Sequence, residues 1–145
     1  MRTRRPAMRS IAAGALLAAA SAAQACGYCV EDRVAAVYDQ AIVDSALAHG
    51  RRVVFFAVEG SPRIGGATRR AVLTALGGSG TVTGSARVNL ENAAAAVAYD
   101  PARTDPGALA LSAGRALAPL GLKLAPLRVT DAGGKLTDPD RPGSR

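Results

Sequence analysis

The chain has no tryptophan, one histidine, two cysteines and five aromatic side chains in 145 residues. Each scarcity removes a class of chemistry. A four-ligand structural zinc site needs more plausible His or Cys ligands than are on offer. A Ser-His-Asp or Cys-His catalytic apparatus would have to run through His49 alone. No paired carboxylates stand out beside an apolar pocket signal, so no hydrolase, and no enzyme, is expected. A separate large cofactor fold does not fit in this length. The apolar fraction of 49% excludes a fully disordered chain. Much of that fraction is alanine, which predicts a core of small side chains and modest stability.

The N-terminus distorts the bulk charge. Arg2, Arg4, Arg5 and Arg9 precede an uncharged Ala- and Leu-rich run from Ile11 to Ala25, ending in Ala23-Gln24-Ala25. A basic start, a short apolar stretch and a small-residue triplet make a secretory signal peptide. The run falls short of the roughly 20 residues of a membrane-spanning helix. Arg4-Arg5 hints at the twin-arginine route, but Pro6 and Ala7 follow where that signal wants bulky apolar residues. Cleavage after Ala25 leaves 14 basic and 11 acidic residues, net +3 instead of +7. Nucleic-acid binding wants a clustered basic face with stacking aromatics. Neither survives, and no nucleic-acid partner is expected. No second long apolar segment follows, so a periplasmic or secreted protein is predicted, without a transmembrane segment in the mature chain.

Apolar residues Val30, Val34, Val37, Tyr38, Ala41, Ile42 and Ala48 recur at helical spacing and predict one helix, closed by His49-Gly50. The run Val53–Val58 reads as a central strand buried on both faces. Ser61–Gly66 is a loop, and a helix over Ala67–Leu76 turns Ala67, Ala71, Val72, Ala75 and Leu76 inward before Gly77-Gly78. After a flexible Gly/Ser/Thr stretch, Ala86–Leu90 and Ala94–Tyr99 pair as a hairpin. Asp105-Pro106 starts a helix whose stripe is Leu109, Ala113, Ala116, Leu117 and Leu120. Leu122–Val129 is a last strand, held to an edge or a bulge by Pro126. The order strand, helix, strand, strand, helix, strand predicts an α+β, ferredoxin-like βαββαβ sandwich preceded by an extra N-terminal helix. The expected division is a signal peptide over 1–25, a CGYC-bearing helical segment over 26–50, the ferredoxin-like domain over 51–129 and a disordered tail over 130–145.

Val58-Glu59-Gly60 before a loop and a helix, Ala86-Arg87-Val88-Asn89-Leu90, and Val97-Ala98-Tyr99-Asp100-Pro101 together resemble the heavy-metal-associated domain family. That family includes small copper chaperones, mercury-binding periplasmic proteins and modules of metal-pumping ATPases. The resemblance covers roughly residues 52–129 and implies a metal site in the loop after the first strand. There the family carries Met-x-Cys-x-x-Cys; this chain has Ser61, Arg63 and Gly66 at those places. No thiol remains, and the Arg63 guanidinium repels a cation.

The soft ligands are instead Cys26 and Cys29 of Cys26-Gly27-Tyr28-Cys29, at the start of the first helix. Helix polarity and the new amino group on Cys26 favour thiolate. Copper(I) or another soft metal ion accepts two thiolates without further ligands. Metal binding or transfer through Cys26 and Cys29, with a metal-transfer protein as partner, is one expectation. A degenerate interaction module without metal is the alternative. Thiol–disulfide exchange is a third reading, since CGYC also resembles the motif of periplasmic disulfide isomerases, although no strand precedes it here. A lipid anchor at Cys26 would consume its thiol, yet Ala23 stands where lipoprotein signals usually have Leu. His49, at the far end of a straight helix of about 20 residues, would lie roughly 30 Å from the cysteines. Arg63, Arg69 and Arg70 read as solvated surface.

Overall fold

The computed structural model describes residues 29–140. The signal peptide read over 1–25, Cys26 and residues 141–145 lie outside them. The described chain is an α+β domain with four helices and one five-stranded antiparallel sheet. Its elements are α1 (Val30–Val37), α2 (Gln40–Ala48), β1 (Arg52–Glu59), α3 (Gly66–Leu76), β2 (Arg87–Asn89), β3 (Ala94–Tyr99), α4 (Pro106–Leu117), β4 (Lys123–Thr130) and β5 (Leu136–Thr137). Strands lie in the order β2-β3-β1-β4-β5, a layout compatible with a ferredoxin-like arrangement. Among the described residues no helix is long and apolar enough to cross a membrane.

The apolar run around Val53–Val58 is the central strand, as its composition predicts, and all six residues are buried. Alternation splits them between two faces. Val54, Phe56 and Val58 meet Val72 and Leu76 of α3 and Leu109, Ala113 and Leu117 of α4. Val53 and Phe55 meet Val34, Val37, Val43 and Ala46 of α1 and α2 on the opposite face. Both faces are therefore covered, which explains why β1 has no polar alternation. Strand β3 is alanine-rich because it lies beside β1, with Ala95 opposite Phe56 and Ala96 opposite Phe55. Small residues on one strand make room for the rings of the other.

The predicted N-terminal helix is two helices. Asp39 adopts an extended conformation and caps α2, its carboxylate accepting the Ile42 N–H at 3.2 Å. The break shifts the helical phase, so the second half buries Val43 and Ala46, while Ala41 and Ala48 are exposed. Tyr38, at the break, stacks on Phe55 with ring centroids 6.0 Å apart. The other helix starts follow their sequence signals more closely. Asp105 caps α4 by accepting from the Ala108 N–H, with Pro106 in the first turn. Beyond Leu117 the chain tightens into a 3₁₀ turn at Ala118–Leu120, which carries Leu120 out to 51% exposure. Ala67 and Ala116 are also exposed instead of facing the core.

Pro126 sits at an irregularity, where the register of β4 against β1 slips between Phe55 and Phe56. Missing the amide hydrogen, proline fits the place where regular pairing is interrupted. Beyond Val129 the composition suggests an unstructured tail; the chain instead turns back, and β5 pairs with Val129 and Thr130. Asp131 organises that turn, accepting the Gly133 and Lys135 N–H groups, each at 2.9 Å. The Gly/Ser/Thr stretch is likewise tied down: Thr81 bridges to Tyr99, and the Val82 N–H donates to the Ala98 carbonyl.

Asp39 links the helical layer to the sheet edge through an ion pair with Arg87 at 3.0 Å. Its carboxyl is held below the ordinary aspartate value, first by the Ile42 N–H; partial burial opposes this, and Arg87 adds to it. A depressed folded pKa contributes stability above the unfolded value of about 3.9, lost as pH falls through the folded value. Asp39→Asn keeps a capping oxygen but loses the charge. Its melting temperature should fall below wild type at pH 7, and the difference should shrink by pH 3. An equal deficit at both pH values would remove the charge from the account.

Candidate functional site

Cys29 is the described member of the CGYC motif. It is an exposed free thiol in the N-cap position of α1, with extended backbone (φ −67°, ψ 158°). Its side chain does not cap the helix; Sγ donates to the Asp32 carboxylate at 2.9 Å. Asp32, in the first turn, suits the positive end of the helix. Its contact with the thiol was legible in principle, since residues three apart share a helix face.

The helix bearing Cys29 is fastened at both ends. Glu31 pairs with Arg128 of β4 at 3.1 Å, Val34 and Val37 are buried, and Asp39 reaches Arg87 of β2. A thiol on such an element has a defined position, which a thiol on a free arm lacks. One turn further on, Arg33 lines a cleft of about 470 Å³ at the C-terminal end of β1, together with Gly60, Pro62, Ile64 and Glu91. Cys29 therefore lies about 6 Å along the helix axis from a residue of that cleft.

The loop after β1 is where the family resemblance implies a metal site. Ser61, Arg63 and Gly66 are exposed there, and the loop offers no thiol. Ile64, 67% exposed, stands over the cleft. Glu59 is matched by Lys123 at 2.9 Å. Among the described residues, no group of three or more His, Cys, Asp or Glu side chains could hold a metal ion. Two thiolates do not need such a group, because copper(I) is satisfied at low coordination number.

His49 is the C-cap residue of α2, and its Nδ1 lies 2.7 Å from the Ser45 carbonyl oxygen. The straight-helix spacing no longer applies once the helix is broken, but the outcome for His49 is the same. It precedes the first residue of β1, whereas the Arg33 cleft abuts the last. An eight-residue strand spans about 23 Å between those ends.

No family model matches the chain, and no curated protein and no solved structure matches it.

Proposed function

We propose that this chain is an exported ferredoxin-like βαββαβ module that binds and hands on a soft metal ion such as copper(I), with Cys26 and Cys29 as the ligands. The observation supporting this reading is the placement of Cys29: exposed, with no disulfide partner among the described residues, and at the start of a helix anchored to the sheet one turn from the cleft beside the β1–α3 loop. The heavy-metal-associated resemblance puts metal at that end of the sheet, and the CGYC motif supplies the thiols the loop lacks. Each thiol gives up its proton on binding, so affinity should rise with pH. Asp32, already accepting the Cys29 proton, is placed to take part in that exchange. A metal-transfer protein of complementary surface is the partner this reading requires, in the periplasm or outside the cell.

The deciding experiment titrates mature, reduced protein with copper(I) against a competing chelator under anaerobic conditions. About one equivalent should bind through the two thiolates. Zinc should bind far more weakly, because two sulfurs fill only half of its tetrahedral shell. Replacing both cysteines with serine should abolish copper(I) binding and leave the reduced protein's melting temperature nearly unchanged, since Cys29 is outside the core. Equal, weak affinity in both proteins rejects the metal reading. The exposed Ile64 over the Arg33 cleft favours the second reading, an interaction module without metal, in that event.

A further inference from the structure

The opposite end of the sheet carries a second feature, independent of the thiols. Arg51, just before β1, and Arg103, in the turn after β3, line one cleft of about 320 Å³. Neither makes an ion pair among the described residues, whereas Arg87 nearby is matched by Asp39. Thr81 and Thr83 share the cleft, but the Thr81 hydroxyl is spent on the Gly78 carbonyl at 2.7 Å. Thr83, exposed at the rim, supplies the remaining hydroxyl.

The walls are fixed. The Asp100 N–H donates to the Gly80 carbonyl at 2.9 Å, and the Asp100 carbonyl accepts from both Arg103 and Thr104 N–H groups. One Asp100 carboxylate oxygen accepts the Ala102 N–H at 2.9 Å, which ties this acid to the turn. Gly80 has φ +89°, and a Cβ there would come within 2.8 Å of the Thr104 methyl carbon. The segment around Gly80 and the turn after β3 are thus packed together, and two cations and one anion line the cleft between them.

Arg51, Val82 and Thr83 also line a second cleft of about 260 Å³, which continues the first toward α2. Its wall includes Ile42, Ala46 and Ala98. The Asp39–Arg87 ion pair and the Ser45 and Ser85 hydroxyls line it too, so the charged compartment opens into one that sets an apolar patch beside a neutralised pair, with Arg51 at the junction.

We infer that this double cleft binds a small organic carboxylate, the carboxylate lying between Arg51 and Arg103 and a short aliphatic body resting against Ile42, Ala46 and Ala98. The guanidinium fork matches a carboxylate with two parallel hydrogen bonds. The net charge of the compartment, one positive, suits a monoanion better than a phosphate dianion. The Ile42, Ala46 and Ala98 patch has no use for inorganic phosphate.

The test titrates the full mature chain with butyrate, acetate and inorganic phosphate, followed by NMR shifts or calorimetry at fixed salt. Butyrate should bind more tightly than acetate or phosphate. Arg51→Gln and Arg103→Gln should each weaken it about tenfold, the loss expected for one charge-assisted pair. Both arginines are exposed, and the Arg51 N–H bond to the Ala46 carbonyl survives substitution, so unfolding midpoints should hold. Arg115→Gln, on exposed α4 surface across the sheet, should leave affinity unchanged. Absence of saturable binding, tighter binding of phosphate than butyrate, or an equal loss in Arg115→Gln overturns the inference. Copper(I) titration of the same variants keeps this outcome separate from that of the thiol site.

Discussion

Phe56→Ala is expected to cost about 3–5 kcal/mol of folding stability, the range for losing a buried aromatic ring. Phe56 is fully buried and faces the layer formed by α3 and α4. Its cross-strand neighbour on that face is Ala95. Alanine has no side-chain length with which to collapse into the space, so the cavity should persist. Most of the surrounding core is valine, leucine and alanine. A small domain has about 5–15 kcal/mol of stability in total, and this one variant would remove a large share. Urea unfolding should show a lower midpoint with little change in slope. Phe56→Leu, keeping most of the volume, should lose much less. A deficit under about 1 kcal/mol for Phe56→Ala would mean that the layer repacks to fill the lost ring's space.

The second phenylalanine shows why the layer is double. Phe55 points to the other face and stacks with Tyr38 where α1 gives way to α2. The two helices are therefore not an appendage to the sheet; they complete its core. A segment over 26–50 attached to a self-sufficient domain, as the sequence suggests, would leave Val53, Phe55 and Ala96 facing water. Their burial at 3% exposure or less shows the dependence.

Strand β1 and the start of α4 were legible because each rests on local chemistry: an unbroken apolar run, and an Asp-Pro pair with fixed backbone preferences. The break at Tyr38–Asp39 was not, because Val34 and Val37 keep helical spacing with Ala41 and Ile42 across it. The available signal was Asp39 three residues before Ile42, a cap inside an apparently continuous stripe. The hairpin of β4 and β5 was hidden by composition, although Asp131 with Gly133-Gly134 is a turn signature. Cys29 could be singled out as a soft ligand from sequence. Asp32, three residues on, was within reach of the same local reasoning; Arg33 was not, because its place in the cleft comes from the path of α1 across the sheet. The Arg51–Arg103 cleft depends on β1 and β3 being neighbours, a fact of topology that no local pattern contains.

Gly60→Ala should be the most damaging of the glycine substitutions, costing about 3 kcal/mol or more, because two penalties coincide. Its φ of +106° lies where side chains are disfavoured, at a cost of about 1–3 kcal/mol. A Cβ would also fall on the Gly121 carbonyl oxygen and within 3.1 Å of Leu122 Cδ2. The first obstacle is backbone, so relief requires moving the turn between α4 and β4, and overpacking of that kind costs about 1–3 kcal/mol. Gly50→Ala separates the two terms. Its φ is +67°, yet nothing lies within 4 Å of the added carbon, so only the conformational cost of about 1–2 kcal/mol applies. Urea midpoints of the two variants, measured side by side, should therefore differ by more than 1 kcal/mol when converted with a common slope. Equal costs would show that the α4–β4 turn yields freely. Gly60 would then be required for its backbone angle alone.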